Sequence, residues 1–306
     1  MVIANIARER PIRVQGGSYA REVLCWPPLR VVMRAPRPAL VDRIRAIFSG
    51  QGPPADVNGR GSWASGRLTY EIEELGGANT PRYLVTANGE LLFQSESDEG
   101  LVRCLEGTIT HRLTRSLTHY HLFHAGAVAR NGRGVLLPGA SGAGKSTMVG
   151  ALALAGFDYC SDEVAVVGPD LRLRPFPRVI SLKSGGWHRL QADFPDACER
   201  QLVFGSSAAN NWFLKPEQVP SEEQSREGHE VSFILLPNAA QPGRGVLQRL
   251  PKSDAVTRMV EQSMGLALRG AKGLNVIVDL VRRAECYALD TTDLRRAVGE
   301  VKRLTA

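Results

Sequence analysis

The sequence predicts an α/β chain in two unequal parts: a mostly β (α+β) module over residues 1–105 and an α/β domain over 106–306. Three observations carry this. Short apolar runs between turn residues fill 23–93, strands and helices alternate beyond about 120, and a glycine loop at 139–146 joins a strand to a helix. A chain of 306 residues is long enough for two such parts.

In the first part, residues 1–20 read as a lead-in of mixed charge. The runs 29–33, 68–72 and 83–86 read as strands, each closed by proline, Gly76-Gly77 or Asn88-Gly89. Asn-Gly tolerates the positive φ angles of a two-residue turn, so 83–86 and 91–93 should pair as a hairpin. A helix is expected over 39–48, where Leu40, Ile44 and Ile47 share a face behind a proline. The glycine- and proline-rich stretch 50–66 reads as a loop.

A long helix is predicted over 97–119, with Leu101, Leu105, Ile109, Leu113 and Leu117 at near-helical spacing. Ser97 is its N-cap, and Asp98 and Glu99 favour the positive end of the helix dipole. A hairpin follows, 122–130 and 133–138 around Asn131-Gly132. Further strands are expected at 157–167, 171–174, 231–237 and 284–289. Helices are expected at 253–266, 273–283 and 292–304, with Ser253 and Thr292 as caps.

Composition narrows the function. No apolar stretch approaches the roughly 18 residues of a membrane span; the best, 264–281, is broken by Arg269, Lys272 and Asp279. The N-terminus meets arginine and proline before an apolar run can build, so a cytoplasmic protein with no membrane partner is expected. The net charge of +7 is spread along the chain without aromatic interleaving, which argues against nucleic acid and suits an anionic ligand. The five cysteines are scattered and form no CxxC pair, as expected of reduced, mostly buried thiols.

Residues Gly139, Ala140, Ser141, Gly142, Ala143, Gly144, Lys145 and Ser146 match GxxxxGK[ST] throughout, with Thr147 following. Glycine is 31 of 306 residues and lysine only 6, so on the order of 0.01 accidental matches are expected in the chain. The glycines let backbone N–H groups turn inward around a phosphate, and the helix start adds partial positive charge. Lys145 can reach the outer phosphates and Ser146 can ligate magnesium, so the motif predicts binding of ATP or a close relative.

Some 16 residues on, Asp162-Glu163 interrupts an apolar stretch. Asp162 is placed to hold Mg2+ or its water, and Glu163 to take a proton from an attacking hydroxyl. A charged pair at a solvent-facing turn is the plain alternative, less favoured beside the glycine loop. His124 lies on the strand that hairpins onto the loop strand, where a lone histidine is usually structural. Arg178 and Lys183 read equally as phosphate clamps or as a solvated basic edge. Trp187 and Trp212 read as core or interface.

The run from Phe123-His124 through the glycine loop to Ser161-Asp162-Glu163 resembles the HPr kinase/phosphorylase superfamily. It is most similar to the HPr-kinase-related branch, which includes kinases of lasso peptides. The resemblance covers about 120–185, with a weaker echo in the C-terminal strands and helices. It implies a P-loop kinase domain of the HPr kinase type and ATP- and Mg2+-dependent phosphorylation of a serine hydroxyl. Glu163, standing where the bacterial enzymes have aspartate, would be the base, Asp162 the metal ligand and His124 the helper at the transferred phosphate. Pro177-Arg178 and Leu182-Lys183 resemble a segment of the related branch and favour nucleotide contacts for Arg178 and Lys183. The HPr kinase signature is not evident in 184–205, so HPr itself and phosphorolysis are not implied. The acceptor is then a peptide, a protein or a small hydroxylated molecule, and a homo-oligomer fits, since hexamers occur in that family. A non-catalytic ATP-binding regulator is the alternative. A transporter-type ATPase is disfavoured, because Leu182-Lys183-Ser184-Gly185-Gly186 lies too early to serve as its signature.

Overall fold

The structure, a computed structural model, describes residues 20–26, 29–49, 66–75, 82–237 and 246–306. The expected lead-in, most of the 50–66 loop and the Gly76-Gly77 turn lie outside these residues. The protein is mixed α/β, and the described residues form three sheets.

The first five strands are β1 (Ala20–Trp26), β2 (Leu29–Ala35), β3 (Gly66–Glu74), β4 (Tyr83–Ala87) and β5 (Glu90–Ser95), paired in that order. All pairs are antiparallel except β2 with β3, between which helix α1 (Pro38–Ile47) crosses over. Leu40, Val41, Ile44 and Ile47 of α1 are buried against the sheet. The expected hairpin is present, with Asn88 at φ +53° and Gly89 at +86°.

Helix α2 (Asp98–Ser116) starts where predicted: the Ser97 hydroxyl accepts from Gly100 N at 3.1 Å. Its buried Leu101, Val102, Leu105, Ile109 and Leu113 each contribute roughly 1.5–3 kcal/mol of gross burial. The helix ends at Ser116 rather than His119 and runs unbroken through residues 105 and 106. Its apolar face belongs to a core that joins Val31, Met33 and Tyr70 of the first sheet to Val164, Val166, Val179 and Phe213 of the second part.

The second sheet begins with the hairpin of β6 (His121–Arg130) and β7 (Arg133–Pro138), turned at Asn131-Gly132. After helix α3 (Lys145–Leu154) come β8 (Asp158–Ser161), β9 (Val164–Val167) and β10 (Arg172–Arg174). The single strand expected over 157–167 is thus two strands, because the Ser161 hydroxyl accepts from both Glu163 N and Val164 N and turns the chain at Asp162-Glu163. A small third sheet holds β11 (Ile180–Leu182), β12 (Leu202–Ser206) and β13 (Asn211–Leu214), in the order β11-β13-β12. Helices α4 (Ser184–Asp193) and α5 (Pro195–Gln201) lie between β11 and β12.

Helix α6 (Glu222–Glu227) precedes β14 (His229–Pro237), which runs parallel to β7. The chain closes with β15 (Leu247–Arg249), α7 (Lys252–Glu261), β16 (Ser263–Met264), α8 (Leu266–Arg283), β17 (Glu285–Leu289) and α9 (Leu294–Leu304). The nine-stranded sheet runs β10-β9-β6-β7-β14-β17-β15, with β8 and β16 also paired to β6. Side chains of β7 alternate: Val135 and Leu137 pack with α3 and α9, Leu136 with α7 and α8. Helices therefore cover both faces, as all-buried strands require. The expected caps differ. Asp293, not Thr292, accepts from Arg296 N, and α7 begins behind Pro251 with Ser253 already inside it. The predicted 253–266 helix stops at Glu261, and α8 carries a non-helical Gly270.

Candidate active site

The glycine loop follows the buried end of β7. Gly142 and Gly144 both stand at φ +85°, the left-handed region that side chains disfavour, so the sharp turns into α3 need glycine there. Glycine is needed again behind the loop, where a Cβ on Gly126 of β6 would meet Val149 Cγ2 of α3 at 2.5 Å. Lys145, the first residue of α3, is 6% exposed and curls back over the loop. Its Nζ donates to Gly139 O at 2.7 Å and Ala140 O at 3.0 Å. Burial lowers its pKa, Glu163 and Asp162 oppose that, and Lys183 adds to it. The Ser146 hydroxyl has no hydrogen-bond partner among the described residues.

The acidic pair occupies the break between β8 and β9, beside His124 on β6. Asp162 is 1% exposed, and three groups hold it: Tyr159 Oη donates at 2.9 Å, Arg178 Nη2 at 3.1 Å and Ser181 N at 3.1 Å. A carboxylate has about four lone-pair sites, so one remains for a further ligand. Glu163 is half-exposed and accepts from Arg178 Nη2 at 2.9 Å. His124 is partly buried, and its pKa is lowered by that burial and by the charge of Lys145, against Glu163 and a hydrogen bond that it donates to Gln262.

Arg178 makes its hydrogen bonds to Glu106, Asp162 and Glu163, none to the glycine loop. It is buried behind the acidic pair, with Nη1 donating to Glu106 Oε1 of α2 at 2.5 Å. Burial opposes its charge, but Asp162, Glu106 and Glu163 hold its pKa well above the ordinary guanidinium value. It is therefore a bracket for three carboxylates rather than a phosphate clamp. Lys183, by contrast, is exposed at the start of α4 and faces the cavity.

These parts converge on one cavity of about 460 Å³. Ser141, Gly142, Gly144, Lys145, Ser146, Thr147, His124, Asp162, Glu163 and Lys183 line it, whereas Gly139, Ala140 and Ala143 stand in the loop behind. Five further lining residues were not singled out from the sequence: Arg103 of α2, Ser181, and Ala209, Asn210 and Asn211 at the start of β13. Asn210, at φ +51°, accepts from Ser184 N at 2.8 Å, and Ser181 Oγ donates to Asn211 Oδ1 at 2.9 Å. Glu106 had a readable signal, since it replaces an apolar residue in the stripe Val102, Ile109, Leu113. Trp187 and Trp212 stack at 6.2 Å in the core, and neither lines the cavity.

No protein-family model matches the chain, and no curated protein matches it. What the site can do therefore follows from its own chemistry. Turned glycines, a helix start and two lysines suit a polyanion; a half-exposed carboxylate beside a histidine suits proton transfer. Among the described residues no three His, Cys, Asp or Glu side chains form a metal cage, and no helix is long and apolar enough to cross a membrane. An ion between Ser146 and Asp162 would take its remaining ligands from phosphate and water.

Proposed function

We propose that the chain is an ATP-dependent kinase of the HPr kinase type that phosphorylates a hydroxyl of a peptide, a protein or a small acceptor in the cytoplasm. One observation carries this reading: Lys145 and Ser146 of α3, His124 of β6, and Asp162 and Glu163 of the β8–β9 turn line a single cavity. In this reading the loop N–H groups and the start of α3 hold the phosphates of ATP. Lys145 leaves the carbonyls of Gly139 and Ala140 to meet the outer phosphates. Ser146, with its free hydroxyl, and Asp162, with one lone pair to spare, would hold a magnesium ion, which would supply charge neutralisation at the phosphates.

Glu163 takes the proton of the acceptor hydroxyl as its oxygen bonds to the γ-phosphorus. The bond to the β-phosphate oxygen breaks, and ADP leaves with that electron pair. His124, kept neutral near pH 7 by its lowered pKa, can donate to or orient the transferred phosphoryl group. Arg178 keeps the two carboxylates apart in role by holding both from behind.

The test is transfer of label from γ-labelled ATP to acceptors in cell extract. Transfer lost in both Lys145→Ala and Glu163→Gln supports the kinase. Label released only as free phosphate, equally in Glu163→Gln, removes Glu163 as the base. ATP binding with no transfer to any acceptor would make the chain a nucleotide-binding regulator instead.

A further inference from the structure

Helix α2 walls more than the central cavity. Its Glu99, Val102 and Arg103 line a narrow cleft of about 50 Å³ with Arg43 of α1 and Phe204 of β12. Farther along, its Glu106, Thr110, His111 and Thr114 line a third cavity of about 250 Å³ with His124 and Glu163. The three hollows share walls. Arg103, Ala209 and Asn211 belong to the cleft and the central cavity, while His124 and Glu163 belong to the central and third cavities. They are segments of one groove along α2, with Glu163 near its middle.

Its length is informative. From Glu99 to Thr114 the helix rises about 22 Å, at roughly 1.5 Å per residue. That matches about seven residues of extended chain at roughly 3.3 Å each. Charge is unevenly placed. At the cleft end Arg43 and Arg103 face one carboxylate, Glu99, and neither arginine has an ion-pair partner among the described residues. Arg43 lies over the Phe204 ring at 5.7 Å, which keeps it at the cleft. At the other end Arg178 is paired with Glu106 and Glu163, and the remaining lining includes threonines, histidines and Met264.

Resting on the kinase reading, we propose that the acceptor is an extended peptide segment lying along α2. Its hydroxyl meets Glu163, and an acidic residue on one side of that hydroxyl meets Arg103 and Arg43. A small hydroxylated molecule would need neither the length nor the cations. The N-terminal module then gains a role, with α1 and α2 reading the sequence beside the hydroxyl.

Seven-residue peptides centred on serine, carrying Asp or Lys at each other position in turn, test this with the full chain and labelled ATP. Asp on one side of the serine should raise kcat/KM by about tenfold over Lys there. Arg103→Glu should reverse that preference, Arg103→Lys keep it, and Arg43→Glu, on a separate helix, weaken it. Equal rates for Asp and Lys peptides, or a preference that survives Arg103→Glu, would overturn the inference. So would labelling of glycerol or free serine as efficient as the best peptide, which leaves the kinase reading standing. No transfer to any peptide or alcohol, with ATP bound, removes both.

Discussion

The glycine-loop wall of the cavity and the α2 wall are assembled by opposite means. The first comes from strand ends and turns of the nine-stranded sheet, and the stretch from Ser141 to Thr147 supplies most of it. The second comes from one face of a helix that also carries the first core, and its Glu106 meets its partner, Arg178, 72 residues along the chain. A backbone-built wall is set by turn geometry within a few residues. A side-chain-built wall depends on what the tertiary fold brings opposite it.

The largest effect should fall on the loop wall. Lys145→Ala should cut phosphoryl transfer on the order of a thousandfold while the fold holds, measured as kcat/KM for any acceptor found. Loss of the fold instead would mean that its bonds to Gly139 and Ala140 matter more to structure than to phosphate.

Arg178, where the two walls meet, comes next. Arg178→Met leaves Glu106 and Asp162 buried without their cation and should cost about 3 kcal/mol in urea unfolding. Adding Glu106→Leu should recover part of it; no recovery would argue that Glu106 is not held by that charge.

Backbone packing behind the loop ranks third. Gly126→Val should cost about 2 kcal/mol, since Val149 must move to admit it. On the α2 side, Ser97→Ala removes a cap and should cost about 1 kcal/mol. Urea midpoints in the reverse order would break the comparison.

The smallest effect is pH. Burial lowers the pKa of His121, His124 and His229, all on the nine-stranded sheet. The unfolded chain then binds more protons below about pH 6.5, so stability should fall as pH drops through that value. Asp158, raised by burial, opposes this as pH falls further, from its raised pKa down to the ordinary carboxylate value. The urea midpoint should be lower at about pH 5.5 than at about pH 7.5, and His121→Gln should shrink the difference.

What could be read from the sequence follows the same division. Asn88-Gly89, Asn131-Gly132 and the glycine loop announce their own backbone, and each turn falls where expected. The break at Asp162-Glu163 was hidden, because apolar residues flank it and only the Ser161 hydroxyl turns the chain there. The small sheet of β11, β12 and β13 was missed, since strands of three to five residues are too short to show a period. Arg178 was readable as a cation but not as a buried one, for Glu106 lies 72 residues away.

The core shared by α2, the first sheet, β9 and β13 has a consequence for folding. Val179 N also donates to Ile47 O at 2.8 Å, tying α1 to the segment that carries Arg178. Neither half can lose its packing without exposing apolar surface of the other. The two should therefore melt in a single cooperative transition, with calorimetric and van't Hoff enthalpies in agreement.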